Sequence, residues 1–382
     1  MAERYPPNFK QHQAGSDSRS QRTFRTALGF GKAMKLRALK TLIIFFSVFL
    51  AMTHVQVKAQ NPSSGDDFDR AITEFRSGNY SEAAVLFDRA DAAAPGVTDA
   101  LLYKGKALIH LNDYAGAEGA LRLYLRTHRD SGDTMYLLGF VLHRQNRPKE
   151  SLETYTQAAA IAPPSGDDLK IVGLDYVLLD DYSDAIKWLA RAVEMDPKNQ
   201  DAWYYLGRAY YTKAQLPEAQ KAFETVLSLH PSDSKAENNL GLIYETGGRT
   251  NEAIEAYRKA ILWQQKDSRQ SAQPYVNLGN LELEQGQAKD ALVLLEKAVA
   301  LAPEDAFCRM KLGIAYRQAD RLNDAQRELE KAAQLEPDNP AIHFQLGRTY
   351  KQMHMLDRAQ AEFDRTAELQ NRAARAKGAP DR

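Results

Sequence analysis

The sequence predicts an all-α protein built as a solenoid of about nine antiparallel helix pairs, and three observations predict it. Eight glycines, Gly105, Gly139, Gly173, Gly207, Gly241, Gly279, Gly313 and Gly347, follow one another at steps of 34 residues, with a single step of 38 between Gly241 and Gly279. Twelve residues after each glycine stands a small residue, and sixteen after stands Leu, Tyr or Phe, as in Ala117 and Leu121, Ser151 and Tyr155, or Ala219 and Phe223. Twenty-four residues on there is often a proline, at Pro163, Pro197, Pro231, Pro303 and Pro337. A worn first unit keeps the register with Ala71 in the glycine slot, then Ala83, Phe87, Ala90 and Pro95, which makes nine units over roughly residues 64–371.

Residues 200–233 show how one unit is expected to work. From Asp201 to about Lys213, Trp203, Leu206 and Tyr210 recur at helical spacing; from Leu216 to Leu229, Ala219, Ala222, Phe223 and Val226 do the same. Gly207 and Ala219 lack bulk, so the two helices can approach closely, and Phe223 fills the space beside them. Pro231 has no N–H and restricts the residue before it, so it ends the second helix. Each pair leaves an apolar face that only the next pair can bury.

These residues resemble the tetratricopeptide repeat (TPR) family. Its pattern of Trp, Leu-Gly, Tyr, Ala, Phe, Ala and Pro appears as Trp203, Leu206-Gly207, Tyr210, Ala219, Phe223, Val226 and Pro231. Departures are local: Arg129 and Gln265 replace the closing proline, Glu282 fills the Tyr slot, and four extra residues near Lys266–Gln270 lengthen one turn between repeats. The resemblance implies a right-handed superhelix whose first helices line a concave groove. By that implication the groove positions in the third to fifth units are Tyr136, Phe140, His143, Arg144, Lys170, Tyr204, Arg208 and Tyr211, an aromatic and basic stretch. Later units offer Asn238, Asn280 and Glu284, then Arg317, Arg348 and Lys351. Aromatic faces bury area at low entropy cost and Arg makes bidentate contacts to carboxylates, so the stretch suits an acidic or carboxylate-bearing peptide or protein. Tyr and Phe at this spacing also serve as packing residues. The Lys–Asn–Asn–Lys–Arg set with which some family members clamp chaperone tails is not found.

The start of the chain reads differently. Residues 1–33 are polar and irregular and are expected to be a disordered segment, from an over-extended start if translation begins at Met34. Residues 34–59 combine Lys35, Arg37 and Lys40, the apolar run Thr41–Met52, and Val57-Lys58-Ala59 before Gln60, the pattern of a signal peptide. The competing reading is an uncleaved anchor touching the membrane through residues 41–57, although twelve apolar residues are short for a ~20-residue span. Residues 60–371 form the solenoid and 372–382 a polar tail. The expected location is therefore periplasmic or otherwise exported.

Formal net charge is 0, but residues 1–59 hold ten Lys/Arg against two Asp/Glu, leaving 40 against 48, or −8, for the rest. An acidic body does not suggest nucleic-acid binding, which needs a basic face. No nucleophile elbow, phosphate loop, zinc helix or dinucleotide fingerprint occurs, and no cofactor or metal is expected. Asp167-Asp168 and Asp180-Asp181 read as helix starts and turns, and the single cysteine, Cys308, as a small packing residue. The expected function is thus a non-enzymatic interaction scaffold of the cell envelope; the alternative is a component of envelope assembly or polysaccharide export, with aromatic groove residues stacking on sugars.

Overall fold

The computed structural model describes residues 64–96, 99–266 and 268–378. The expected N-terminal segment 1–33 and the signal or anchor segment 34–59 lie outside the described residues. Among those described there are eighteen α-helices and no strand. The chain divides into two compact units, one ending at Arg129 and the other beginning at Asp130.

The first unit contains α1 (Ser64–Arg76), α2 (Tyr80–Ala93), α3 (Ala100–His110) and α4 (Tyr114–Thr127). Each helix packs on the next, and α1 also touches α3. Its core sets Ala71, Ala83, Leu86, Phe87 and Ala90 against the rings of Phe68, Phe75 and Tyr103. Ala71 occupies the glycine slot and is fully buried.

The second unit contains seven pairs: α5 (Gly132–Arg144) with α6 (Pro148–Ala159), α7 (Gly166–Leu178) with α8 (Tyr182–Met195), and α9 (Gln200–Thr212) with α10 (Leu216–Leu229). Then come α11 (Ser234–Thr246) with α12 (Thr250–Gln264), α13 (Gln273–Glu284) with α14 (Ala288–Leu301), α15 (Ala306–Gln318) with α16 (Leu322–Leu335), and α17 (Pro340–Gln352) with α18 (Leu356–Gly378). The last helix thus runs past residue 371, to Gly378. Each second helix packs on the first helix of the following pair, and the first helices also touch one another in order, α5 on α7, α7 on α9, and so on to α17. This row of first helices carries the expected groove.

The steric logic is visible in the core. The residue sixteen places after each glycine lies directly over it, with Leu189 above Gly173 and Phe223 above Gly207. Phe223, Tyr257, Leu189, Leu295 and Leu329 are fully buried.

A second regularity lies in the turn between the helices of a pair. The residue seven places after each glycine slot has a left-handed backbone in all nine units: Gly78, Asn112, Asn146, Asp180, Ala214, Gly248, Gly286, Asp320 and His354. The next N–H reaches back to a carbonyl five residues earlier, as in Asn79 to Glu74 at 2.9 Å and Gln215 to Tyr210 at 2.9 Å. This closes the first helix as a Schellman turn, a geometry that favours Gly and then Asn. Seven of the nine positions are Gly, Asn or Asp, so the signal was present in the sequence although the repeat pattern did not use it.

The aspartate pairs are structural. Asp181 caps α8 by accepting from the Asp184 N–H, and Ser165 with Asp168 forms a reciprocal capping box at α7. Cys308 is buried in the core around α14 and α15, where burial pushes its thiol pKa up and keeps it from being a ready nucleophile.

The four extra residues fall between α12 and α13. There the buried Gln264 amide donates to the Ser271 carbonyl at 3.0 Å and accepts from the Ser271 N–H at 2.8 Å. Where six other units end on proline, this one ends on a side-chain staple.

Candidate functional site

The eight expected groove residues all lie on α5, α7 and α9, three successive first helices of the second unit. Their spacing, one helix pair apart, brings them onto neighbouring helices, but the structure uses them in different ways.

Tyr136 is not available on an open face. It is 7% exposed, packs its ring 5.7 Å from Tyr155, and donates its hydroxyl to the Ala162 carbonyl at 2.6 Å. Of the eight groove positions that the resemblance implies it alone is buried, so its place on the groove lining is corrected. The connection after α6 folds back over the start of α5 and covers it: a β-carbon on Gly132 would lie 2.8 Å from that of Ala162. Burial, with Asp168 and Asp133 nearby, also raises the Tyr136 phenol pKa.

His143 is half-buried and its Nδ1 lies 2.8 Å from Oδ1 of Asp175 on α7. Asp175 is fully buried. Burial raises its carboxyl pKa, while contacts with His143 and Ser151 work in the opposite direction. Lys170 is half-buried and pairs with Asp167 at 2.7 Å, and Asn199 on the next pair bonds the same carboxylate oxygen at 2.9 Å. The positive charge of Lys170 is therefore offset within the protein.

Tyr204 lies edge-on to Tyr205 and Phe223, and its hydroxyl accepts from Asn239 on α11 at 3.3 Å. Tyr211 meets Thr246 on α11 through their hydroxyls at 3.1 Å. Both tyrosines remain half-exposed, as do Phe140 and Arg208, while Arg144 is exposed with its guanidinium over the Phe140 ring.

These contacts belong to a longer pattern. Five of the six steps along this row carry a side-chain hydrogen bond between first helices: His143 to Asp175, Tyr204 to Asn239, Asn238 to Asn277 at 3.0 Å, Asn280 to Lys311, and Arg317 to Gln345 at 3.1 Å. A groove-position residue on one helix commonly spends a polar group on the next helix. Sequence offsets could place these residues on a common row, but not reveal that His143, Tyr204 and Tyr211 are rungs between helices.

Two features of the row lay outside the expected site. Phe307 and Phe344 are 36% and 44% exposed at the starts of α15 and α17, each beneath a cation, Lys311 and Arg348 respectively. Arg317 is buried, with one donor on Gln345 and its Nε without an acceptor. Among the described residues no group of three His, Cys, Asp or Glu side chains is placed to hold a metal ion. No described helix is long and apolar enough to cross a membrane.

Comparison with known proteins agrees with this fold. A search of curated proteins finds no match. Among solved structures, a tetratricopeptide repeat protein from Parabacteroides merdae superposes with a TM-score of 0.53 at 19% identity, over 65% of this chain and 97% of that one. The APC/C hetero-tetramer Cut9-Hcn1 gives 0.54 at 15% identity, over 81% of this chain and 59% of that one. Two family models, both described as Tetratricopeptide repeat, match residues 74–136, 177–238, 282–332 and 316–379 for one and 232–304 for the other. With those matches spanning most of the chain and nine helix pairs in one register, this protein belongs to the tetratricopeptide repeat family.

Proposed function

We propose that this protein is a non-enzymatic interaction scaffold of the cell envelope, exported by its N-terminal segment, that binds a peptide or partner protein along the first-helix row at α5, α7 and α9. Members of this family generally hold other proteins. The observation that carries the reading is the part-exposed set Phe140, Arg144, Tyr204, Arg208 and Tyr211 on three adjacent first helices. Their rings offer rigid contact area and their guanidinium groups favour a carboxylate-bearing segment. Tyr136 drops out of the set, and His143 and Lys170 act mainly by positioning neighbours. Export rests on the basic, apolar and small-residue order of residues 34–59.

The test is capture from an envelope extract by the parent and by a Tyr204→Ala, Arg208→Ala double variant, both checked for helicity. The parent should retain a defined protein that the variant loses, and more salt should weaken that capture. Equal capture by a folded variant defeats the groove reading; retention of glycan rather than protein favours the polysaccharide alternative. N-terminal sequencing should place the mature start at or near Gln60, and a membrane-bound product retaining residues 34–59 would instead establish the anchor.

A further inference from the structure

In three units the residue four places before the glycine carries a donor that reaches back to a proline carbonyl. Trp203 donates its Nε1–H to Pro197 at 3.0 Å, and Arg309 its Nε–H to Pro303 at 2.7 Å. In the last pair the residue is His343, whose Nε2 lies 2.8 Å from the Pro337 carbonyl. Tryptophan has one N–H to give, and the residue fifteen places after its glycine is Ala222. Arginine and histidine have a second nitrogen to offer, and in those two units, alone among the nine, the residue at that place is glutamate, Glu328 and Glu362. Nη1 of Arg309 lies 2.6 Å from Glu328, and Nδ1 of His343 lies 2.7 Å from Glu362. The same tie is built twice, once on a guanidinium that is always charged and once on an imidazole that is not.

The imidazole needs an extra proton to make both bonds. The Pro337 carbonyl can only accept, so Nε2 carries a hydrogen. Nδ1 then faces a carboxylate, and a bond there requires one more proton, on Nδ1 or on Glu362. A neutral imidazole beside an ionised Glu362 sets two lone pairs against each other. The two side chains are 12% and 24% exposed, so water replaces the lost bond poorly. Glu328 also has Lys331 at 3.4 Å, whereas among the described residues Glu362 has no cation within ion-pair distance but His343. The other charged and titratable groups around α17 are engaged elsewhere. Glu330 of α16 accepts from Tyr350, Glu336 accepts from Asn339, and Asp338 accepts from Arg365 of α18. Arg317 of α15 donates to Gln345, and Arg358 of α18 lies over the Tyr350 ring.

We propose that His343 and Glu362 form a proton-operated latch on the last helix pair. It is closed in mild acid, when the two side chains share the extra proton, and loosens across the range in which histidine loses its charge, about pH 5 to 8. His343 stands on α17, Glu362 on α18 and Pro337 ahead of both, so one ring joins three segments. The place is sensitive, because among the described residues α17 and α18 have a neighbouring pair on one side only, and a repeat draws its stability from its neighbours. The latch is independent of the α5–α9 row and stands whether or not that reading holds.

The test is hydrogen exchange of the full chain at about pH 5.5 and about pH 8, with rates corrected for the intrinsic effect of pH. Between the lower and the higher value, protection in α17 and α18 should fall about tenfold relative to α13 and α14, the worth of one charge-assisted hydrogen bond. His343→Arg copies the Arg309 tie and should keep α17 and α18 equally protected at both values. Glu362→Gln should also flatten the profile, because its amide donates to a neutral Nδ1 and both bonds persist without the extra proton. His354→Asn, at the exposed left-handed turn of the same pair, should leave the pH dependence of the parent intact, since Asn accepts that conformation. Equal protection of the parent at both values would overturn the latch. So would a pH dependence that survives in both His343→Arg and Glu362→Gln, or one that His354→Asn abolishes.

Discussion

Gly241 and Tyr257 stand so close that a β-carbon on the glycine would lie 2.4 Å from Cε1 of the tyrosine ring. The ring has nowhere to go: it is fully buried and its hydroxyl donates to Glu245 at 2.5 Å. Gly241→Ala should therefore destabilise the protein by about 1–3 kcal/mol through overpacking. Gly207→Ala, whose β-carbon would meet the Phe223 ring at 3.0 Å, should cost less. Chemical denaturation of the two variants measures the order, and a reversed order would show that ring contact is not what the glycine protects.

Ala214 holds a left-handed turn, φ 57°, that eight other units also make. An L-residue pays roughly 1–2 kcal/mol for that conformation, while glycine loses roughly 0.5–1 kcal/mol more chain entropy on folding. Ala214→Gly should stabilise by about 0.5–1 kcal/mol. The same change at Ala209, inside α9 and buried, should destabilise by about 1 kcal/mol or more. Thermal melts of the pair should move in opposite directions.

Glu282 occupies the family's Tyr slot and is 6% exposed, with Oε2 lacking a partner. Burial raises its carboxyl pKa, Asp290 adds to the rise, and Arg258 opposes it. The folded state thus holds this proton more tightly than the unfolded chain. Its contribution to stability is best in acid and declines as pH rises through the folded pKa. Glu282→Gln has no proton to lose, so it should stabilise at pH 7 by about 1–3 kcal/mol. The gain should vanish toward about pH 4, near the ordinary glutamate pKa. Urea midpoints at the two pH values check it, and a gain independent of pH would assign the effect to something other than ionisation.

Gln264 closes the lengthened connection with two hydrogen bonds to Ser271. Gln264→Ala should cost about 1–3 kcal/mol, since it leaves both backbone groups of Ser271 without that partner. Because repeat stability is set by nearest neighbours, hydrogen exchange should quicken around α12 and α13 and remain unchanged in α5 and α6. Uniform acceleration would contradict nearest-neighbour coupling.

The relation of Gly173 to Leu189, or Gly207 to Phe223, was legible in the sequence because it is fixed within one helix pair and each member has a distinctive size. The first-helix row was legible too, since equal steps place equal offsets on adjacent helices. The fate of each side chain on that row was not. Tyr136 and Tyr204 share an offset of three before their glycines, yet the chain around Ala162 covers the first and leaves the second half-exposed. That difference depends on the connection after the pair, and pairwise bonds such as His143 to Asp175 depend on how pairs stack. The left-handed turn positions could have been read from their Gly, Asn and Asp content.

The staple at Gln264 bears on how such a chain can change length. Every distance that matters to packing is counted forward from a glycine, seven residues to the left-handed turn and sixteen to the covering side chain, and Gly279 keeps both with Gly286 and Leu295. The irregular interval lies outside that count, between the end of α12 and the start of α13. Ancestral duplications or deletions with ragged ends at such a boundary would leave the interior of both flanking repeats intact, so long as a side chain near the join can tie off the surplus. The array is in this sense spliceable, and the α12–α13 boundary has the form of a repaired splice.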